Sequence, residues 1–401
     1  MLLPDRLAFD QLAHAARSLN VERGIALNDL RTDEALRSLP HFEATVASFR
    51  SSQLVVERFG AENAERLVLQ LLHNCPRTQP NDAAVDRAWN AFVTELALPE
   101  WRYVAVGALR NIECADGAVQ LGPNVLIGSF GSSEVRSCGI SDISLQAIRR
   151  EAFRDFSFTD CVLVVSGSTP KDASNIVQIG CDGLFDTAAR AICALRLSAP
   201  GLVSVGPLWV ERLANFDVLG GHAIYGTSVP SIGTRFRLDA ASAERARAIL
   251  PRIARPSEVL APGDFEISLS TFMSSFDRWP RNPANELVDI VTALEALLGS
   301  DGSMKLALRV ASLLANDDTE RPALFDEVTK FYRVRSKFVH GERLQQQMIE
   351  RLTDVERLRE YLRRLLRAFA FASPPAGAFD RLDARLLSST EREGLRKTLG
   401  L

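Results

Sequence analysis

The 401 residues predict an α+β protein with an all-helical C-terminal bundle, and three observations carry that expectation. Before residue 99 apolar residues recur at helical spacing. From Trp101 to about residue 240 they form short runs rich in Val, Ile and Tyr. After about residue 262 helical spacing returns and holds until Pro374 and Pro375. The expected organisation is a mainly helical region over 1–98, a mixed α/β region over 99–262, a helical bundle over 263–373 and a polar tail over 374–401 with one short helix.

Composition narrows the class. Hydrophobic residues make up 46% of the chain and charged residues 24%, enough to bury sizeable cores. The formal net charge of −3 gives the whole chain no nucleic-acid footprint and leaves only a local basic patch to look for. The opening MLLPDRLAFD is broken by Pro4, Asp5, Arg6 and Asp10, and no window approaches ~20 apolar residues, so a cytoplasmic protein without a membrane span is expected. The six cysteines (Cys75, Cys114, Cys138, Cys161, Cys181 and Cys193) include no C-x-x-C pair. Cys161 and Cys193 sit in apolar runs and read as small buried hydrophobes, and no structural disulfide is expected.

Cofactor signals are weak. GSFGSS (128–133) and GSTPKD (167–172) both lack the G-x-x-x-x-G-K-[ST] pattern, and no G-x-G-x-x-G follows a strand; both read as turns. His14, His41, His73 and His222 are isolated, whereas a metal site needs three or four converging ligands. No metal or other cofactor is expected.

The elements follow in order. FEATVASFRSSQLVVERF and AERLVLQLLHNC read as helices. WRYVAVGALRNIEC and AVQLGPNVLIGSF read as two strands joined at ADG, CVLVVSG as a buried strand, and DTAARAICALRLSA as a helix. GLVSVGPLWV and GGHAIYGTSV look extended. AASAERARAILPRIA is a helix ended by Pro251, and RPSEVLAPGD is a connection. In the bundle, Pro283 is tolerated in a first turn and Ser303 is a candidate cap for the third helix. RLQQQMIERLTDVERLREYLRRLLRAFAF reads as one last helix, with Leu344, Met348, Leu352, Val355, Leu362, Leu365 and Phe369 in one apolar stripe.

Three helices of that bundle each carry an ionisable residue on or beside an apolar face. Glu295 lies four residues after Val291, and Arg309 falls between Leu306 and Leu313. Arg335 continues the face of Phe325, Val328, Phe331 and Tyr332. A buried charge needs a partner, so Glu295 is expected to pair with Arg309, Arg335 or both. Arg335 and His340 lie in RSKFVHG. Five residues is about 140° of helical rotation, so the two share a site only if the helix ends near Gly341. An imidazole that moves protons beside a guanidinium that stabilises phosphorane charge suits phosphodiester chemistry. Residues 333–367 hold ten Lys/Arg against five Asp/Glu, and Arg351, Arg357, Arg359, Arg363, Arg364 and Arg367 cluster on the last helix, either as a solvated face or as an RNA-facing patch.

RSKFVHG matches the R-x4-6-H motif of HEPN domains. LVDIVTALEALL, LALRVASLL and FYRVRSKFVHG, in that order, resemble the Apea-like branch of that superfamily over about residues 265–373. The resemblance implies a helical bundle and a metal-independent endoribonuclease that leaves 2′,3′-cyclic phosphate ends, possessing one cleft built from two motifs of a homodimer. It implies Arg335 and His340 as the catalytic pair, supported by Ser336, Glu295, Arg309 and Tyr332, with Lys337, Arg343, Arg363 and Arg364 contacting RNA. A stress or antiviral-defence effector is the implied role, with residues 1–262 regulatory or sensing and open to an unknown ligand or protein. Many active members carry Asn, Asp or His after the arginine, where this chain has Ser336. The alternative is therefore a catalytically inactive HEPN module that binds RNA, nucleotide or a protein partner.

Overall fold

A computed structural model describes residues 3–23, 30–73, 82–114, 117–152, 158–171, 181–213, 222–225, 233–253, 265–277, 282–299, 302–372 and 382–401. The chain folds as α+β. Six helices come first: α1 (Arg6–Arg23), α2 (Leu30–Arg37), α3 (Phe42–Ser51), α4 (Gln53–Phe59), α5 (Ala64–His73) and α6 (Asp82–Ala97). Phe42, Val46 and Phe49 repeat at helical spacing, so α3 buries one face. There Phe49 stacks on Phe92 at 5.3 Å between ring centroids, and Phe9 stacks on Trp89 at 5.4 Å.

The middle region contains β1 (Glu100–Arg110), β2 (Ile112–Cys114), β3 (Val119–Gly122), β4 (Val125–Ser129), α7 (Ser133–Ser137), α8 (Asp142–Ala152), β5 (Phe158–Pro170), α9 (Cys181–Ser198), β6 (Ser204–Arg212), β7 (His222–Tyr225), β8 (Phe236–Leu238) and α10 (Ala240–Ile253). Six strands form one antiparallel sheet in the order β3-β4-β5-β1-β6-β7, and β2 pairs with β8 in parallel. Alternation along β1 divides two cores. Tyr103, Ala105 and Leu109 face the main core shared with α9, while Val104, Val106 and Ala108 face a smaller one with Leu145 and Ile148 of α8. A strand covered on both faces reads as a continuous apolar run, which explains WRYVAVGAL.

Several expectations change here. β1 pairs with β5 and β6, and the hairpin lies inside AVQLGPNVLIGSF, where β3 turns directly into β4. Ser132 of GSFGSS caps α7 by accepting from the Val135 amide, and Ser166 to Pro170 lie in β5. α10 carries Pro251 within its last turn and runs on to Ile253. Cys114 and Cys161 are disulfide-bonded, with their Cα atoms 6.7 Å apart. Their separation of 47 residues gave no signal, because only the folded sheet brings β2 beside β5.

Cys193 remains a thiol, buried in α9, and burial pushes its pKa up from 9.0 to about 12, with the Arg196 charge opposing. Unfolding lets that thiol ionise at its ordinary value. Its contribution to stability is therefore complete below pH 9.0 and is lost as pH rises toward about 12. Iodoacetamide at pH 8 should label the partly exposed Cys138 of the native protein and reach Cys193 only after denaturant is added. Equal labelling rates for the two in native buffer would contradict the burial.

The C-terminal bundle comprises α11 (Phe265–Asp277), α12 (Pro283–Leu298), α13 (Ser303–Leu314), α14 (Glu320–Val339), α15 (Gln346–Arg351), α16 (Val355–Phe371), α17 (Leu382–Leu387) and α18 (Ser389–Leu399). Asn282 caps α12 by accepting from the Ala284 amide, with Pro283 in the first turn. Gly302 holds the N-cap position of α13 and Ser303 is its first residue, so the expected serine cap is replaced by a bare backbone cap. The expected single last helix is two, α15 and α16, joined by a 3-10 turn at Leu352–Asp354. The tail is no appendage: Leu382, Leu386, Leu395 and Leu399 are buried in the main core. The boundary expected near residue 262 lies outside the described residues. Arginines tie the bundle to the sheet region, because Arg363 Nε donates to the Arg196 carbonyl of α9 (2.7 Å) and Arg196 grips Asp277 of α11 with both terminal nitrogens (2.9 and 2.5 Å). No helix among the described residues is long and apolar enough to cross a membrane.

Candidate active site

α14 is placed by its apolar face: Leu324, Val328, Phe331 and Val334 are buried. That packing turns Tyr332 and Arg335, three residues apart, toward α12. Glu295 of α12 meets them with one donor per carboxylate oxygen. Tyr332 Oη donates to Oε1 at 2.9 Å and Arg335 Nη2 to Oε2 at 3.2 Å. The Arg335 guanidinium carbon lies 5.5 Å from the Tyr332 ring centroid. The Arg335 and Glu295 side chains are 22% and 19% exposed, so the ion pair sits at the rim of the bundle. Arg335 Nε is buried and has no partner among the described residues. The guanidinium is thus held at one corner and keeps spare donors.

α14 ends as RSKFVHG requires. Gly341 takes φ +71°, the Gly341 amide donates to the Phe338 carbonyl (3.1 Å) and the Glu342 amide to the Lys337 carbonyl (2.9 Å). This is a Schellman end, and it makes His340 the last capping residue. His340 donates its own amide to the Ser336 carbonyl (3.1 Å), and it is exposed, its imidazole in no hydrogen bond or ion pair among the described residues. The helix thus ends where a shared site for Arg335 and His340 requires it to end, and no hydrogen bond joins the two side chains among the described residues. Ser336 is half-buried. Lys337 pairs with Glu342 at 3.3 Å, and Arg343 is exposed beyond the turn.

Two expected residues lie elsewhere. Arg309 pairs with Asp383 of α17 through two contacts (2.7 and 2.9 Å) and donates to the Gly299 carbonyl (2.8 Å), which closes the end of α12. It supports α12 and α17 and does not touch Glu295. Arg363 is 1% exposed, paired with Glu360 and bonded to the Arg196 carbonyl, and burial pushes its pKa down. It cannot reach RNA in the folded protein. Arg364 is half-buried, with Nη2 3.4 Å from the Leu314 carbonyl. The arginine cluster of the last helix is therefore neither a solvated face nor one RNA patch: Arg359 and Arg363 point inward.

Sequence reading missed Asp383, whose helix lies in the tail, and a second trio beside the first. Tyr361 Oη donates to Glu327 Oε2 (2.9 Å), Arg357 Nε donates to Tyr361 Oη (3.0 Å), and Arg357 also pairs with Glu327 (3.0 Å). Burial, then the Glu327 hydrogen bond, pushes the Tyr361 pKa up, so the phenol keeps its proton. Glu327 lies two helical turns before Arg335, and that spacing was the available signal.

The Glu295 anchor has a measurable consequence. Glu295→Ala removes the acceptor of both Tyr332 and Arg335, and such a half-buried pair contributes about 1–3 kcal/mol, between exposed and buried cases. Urea unfolding followed by circular dichroism reads this loss; an unchanged midpoint would show that the trio does not stabilise the bundle. No family model, curated protein or solved structure matches the chain.

Proposed function

We propose that the chain is a HEPN-type RNA endonuclease working without metal, with Arg335 and His340 as its catalytic pair. The observation that carries the reading is the end of α14, where a guanidinium anchored by Glu295 and Tyr332 precedes an exposed, uncommitted imidazole by one helical turn and a half. RNA supplies its own nucleophile. A neutral imidazole takes the proton of a 2′-hydroxyl, the 2′ oxygen forms a bond to the adjacent phosphorus, and the bond from phosphorus to the 5′ oxygen breaks. Arg335 stabilises the added negative charge of the transition state. A protonated imidazole returns a proton to the leaving 5′ oxygen. One chain supplies one such imidazole, so a second copy completes the pair through an isologous contact of the bundle. The exposed Val339, next to His340 in the chain, and the exposed Ile349 of α15 supply apolar surface for that contact. Lys337 and Arg343 are the RNA-contacting cations of this reading, the protein acts in the cytoplasm as a stress or antiviral effector, and residues 1–262 regulate it.

Ser336, where many active members carry Asn, Asp or His, favours a second reading, a catalytically inactive module that binds RNA, nucleotide or a protein partner. Incubation of the purified chain with total RNA separates the two. The first reading expects products with 2′,3′-cyclic phosphate and 5′-hydroxyl ends, formed equally in EDTA, and light scattering above the 44.1 kDa of one chain. Retention of intact RNA without cleavage supports the second; cleavage that requires magnesium refutes the mechanism.

A further inference from the structure

A cavity of about 490 Å³ lies between α10, α16 and the end of α18, and its lining includes neither Arg335 nor His340. Its walls are of two kinds. Ile249, Ala368, Phe371 and Leu399 make an apolar side, and Arg245, Arg364 and Arg367 make a cationic one. Small-molecule sites commonly have this size and this mixture.

The charges are under-matched by comparison with the rest of the molecule. Arg196, Arg309 and Arg359 each meet a carboxylate of another helix at 2.5–2.7 Å. Arg245 and Arg364 form no ion pair among the described residues. Arg245 Nε donates to the Ser198 carbonyl at the end of α9 (2.7 Å), and Arg364 reaches the Leu314 carbonyl at the end of α13. Helix ends thus hold one edge of each guanidinium and leave its other donors for the cavity. Arg367 lies 3.6 Å from Glu360, which Arg363 already engages. Burial pushes the Arg367 pKa down, Glu360 opposes this, and the charges of Arg363, Arg245 and Arg364 add to the fall. Arg367 therefore feels three other guanidiniums and shares its one carboxylate with Arg363, an arrangement that an added anion would relieve.

We propose that this cavity binds a small organic phosphate, its anionic group held by Arg364 and Arg367 with Arg245 at the edge, and its apolar body against Phe371 and Leu399. A phosphate monoester carries about −1.5 to −2 charges near neutral pH and presents three acceptor oxygens, which suits several guanidinium forks better than a monovalent carboxylate does. Arg252, whose guanidinium lies 5.8 Å from the Phe371 ring centroid, adds to the positive rim.

Phenyl phosphate is the probe, used with the full chain at constant ionic strength. Phenylglyoxal modification mapped by mass spectrometry should show Arg364 and Arg367 protected severalfold and saturably, while Arg343 reacts as before. Inorganic phosphate should protect less at equal concentration, and phenol not at all. Arg364→Gln should weaken phenyl phosphate binding about tenfold or more, the effect of losing one charge-assisted contact. The footprint needs only the wild-type protein, so a poorly folding variant leaves the test intact. Uniform slowing of every arginine, protection of Arg343 instead, or equal protection by inorganic phosphate would overturn the proposal. None of these readouts depends on RNA cleavage.

Discussion

If the proposed reading holds, His340→Ala should lower the rate of RNA cleavage by about 10²–10⁴-fold, the usual contribution of a general acid or base, and leave the fold intact. The second half of that expectation follows from geometry. The imidazole is exposed and makes no hydrogen bond or ion pair among the described residues, and the end of α14 is closed by backbone bonds through Gly341 that alanine at 340 preserves. A loss of rate with an unchanged urea midpoint therefore reports chemistry. Arg335 behaves differently, because its guanidinium also pairs with Glu295 and lies on Tyr332. Arg335→Lys keeps a charge but loses the planar fork, so it should lose rate and a part of the stability together. A substrate with a 2′-deoxy sugar at the cut site should resist wild-type protein, since the nucleophile is gone. Undiminished cleavage by His340→Ala, or cleavage of the 2′-deoxy substrate, would remove His340 and the internal attack from the mechanism.

The Glu295–Arg335 pair was legible because both partners sit on regular helices, where spacing fixes direction. Leu294 and Leu298 assign the face of α12, Phe331 assigns the face of α14, and the carboxylate had to meet a cation between them. Arg309 was misassigned for a related reason. Its face was right, but its partner Asp383 lies 74 residues on, in a segment whose polarity hid four buried leucines. The α+β class was legible from the change of period at Trp101. Strand pairing was not, since β1, buried on both faces by α8 and α9, offers no alternation to say which neighbours flank it. The arginines of α16 illustrate the limit of charge counting. Arg357 is exposed while Arg359 and Arg363 are buried on the opposite side of the helix, and a sum over residues 333–367 cannot separate them.

Arg359 carries the largest expected effect on stability. Its side chain is fully buried, and Nη2 donates to Glu286 of α12 at 2.6 Å, where Glu286 is 2% exposed. It also pairs with Glu356 and reaches Ser275 of α11 through Nε at 3.4 Å. Its guanidinium carbon is 4.7 Å from the Phe276 ring centroid, and that of Arg196 is 4.5 Å from the same ring. One ring therefore receives a cation from α16 and another from α9, which ties α11 to both helices. Arg359→Met takes the guanidinium from a carboxylate out of water and should cost about 3–5 kcal/mol. Arg359→Lys should recover only a part, because a single ammonium cannot match Glu286, Glu356 and the ring together. The double change Arg359→Met with Glu286→Leu removes both charges at once and should return most of the loss, since a buried pair replaced by apolar groups is often neutral. Glu286 shares α12 with Glu295, so loosening this end should also lower the activity of a cleaving enzyme without touching His340. Urea unfolding of the three variants reads the ordering. A single Met variant within about 1 kcal/mol of wild type, or a double variant no more stable than the single, would show that the buried pair does not hold α12 in place.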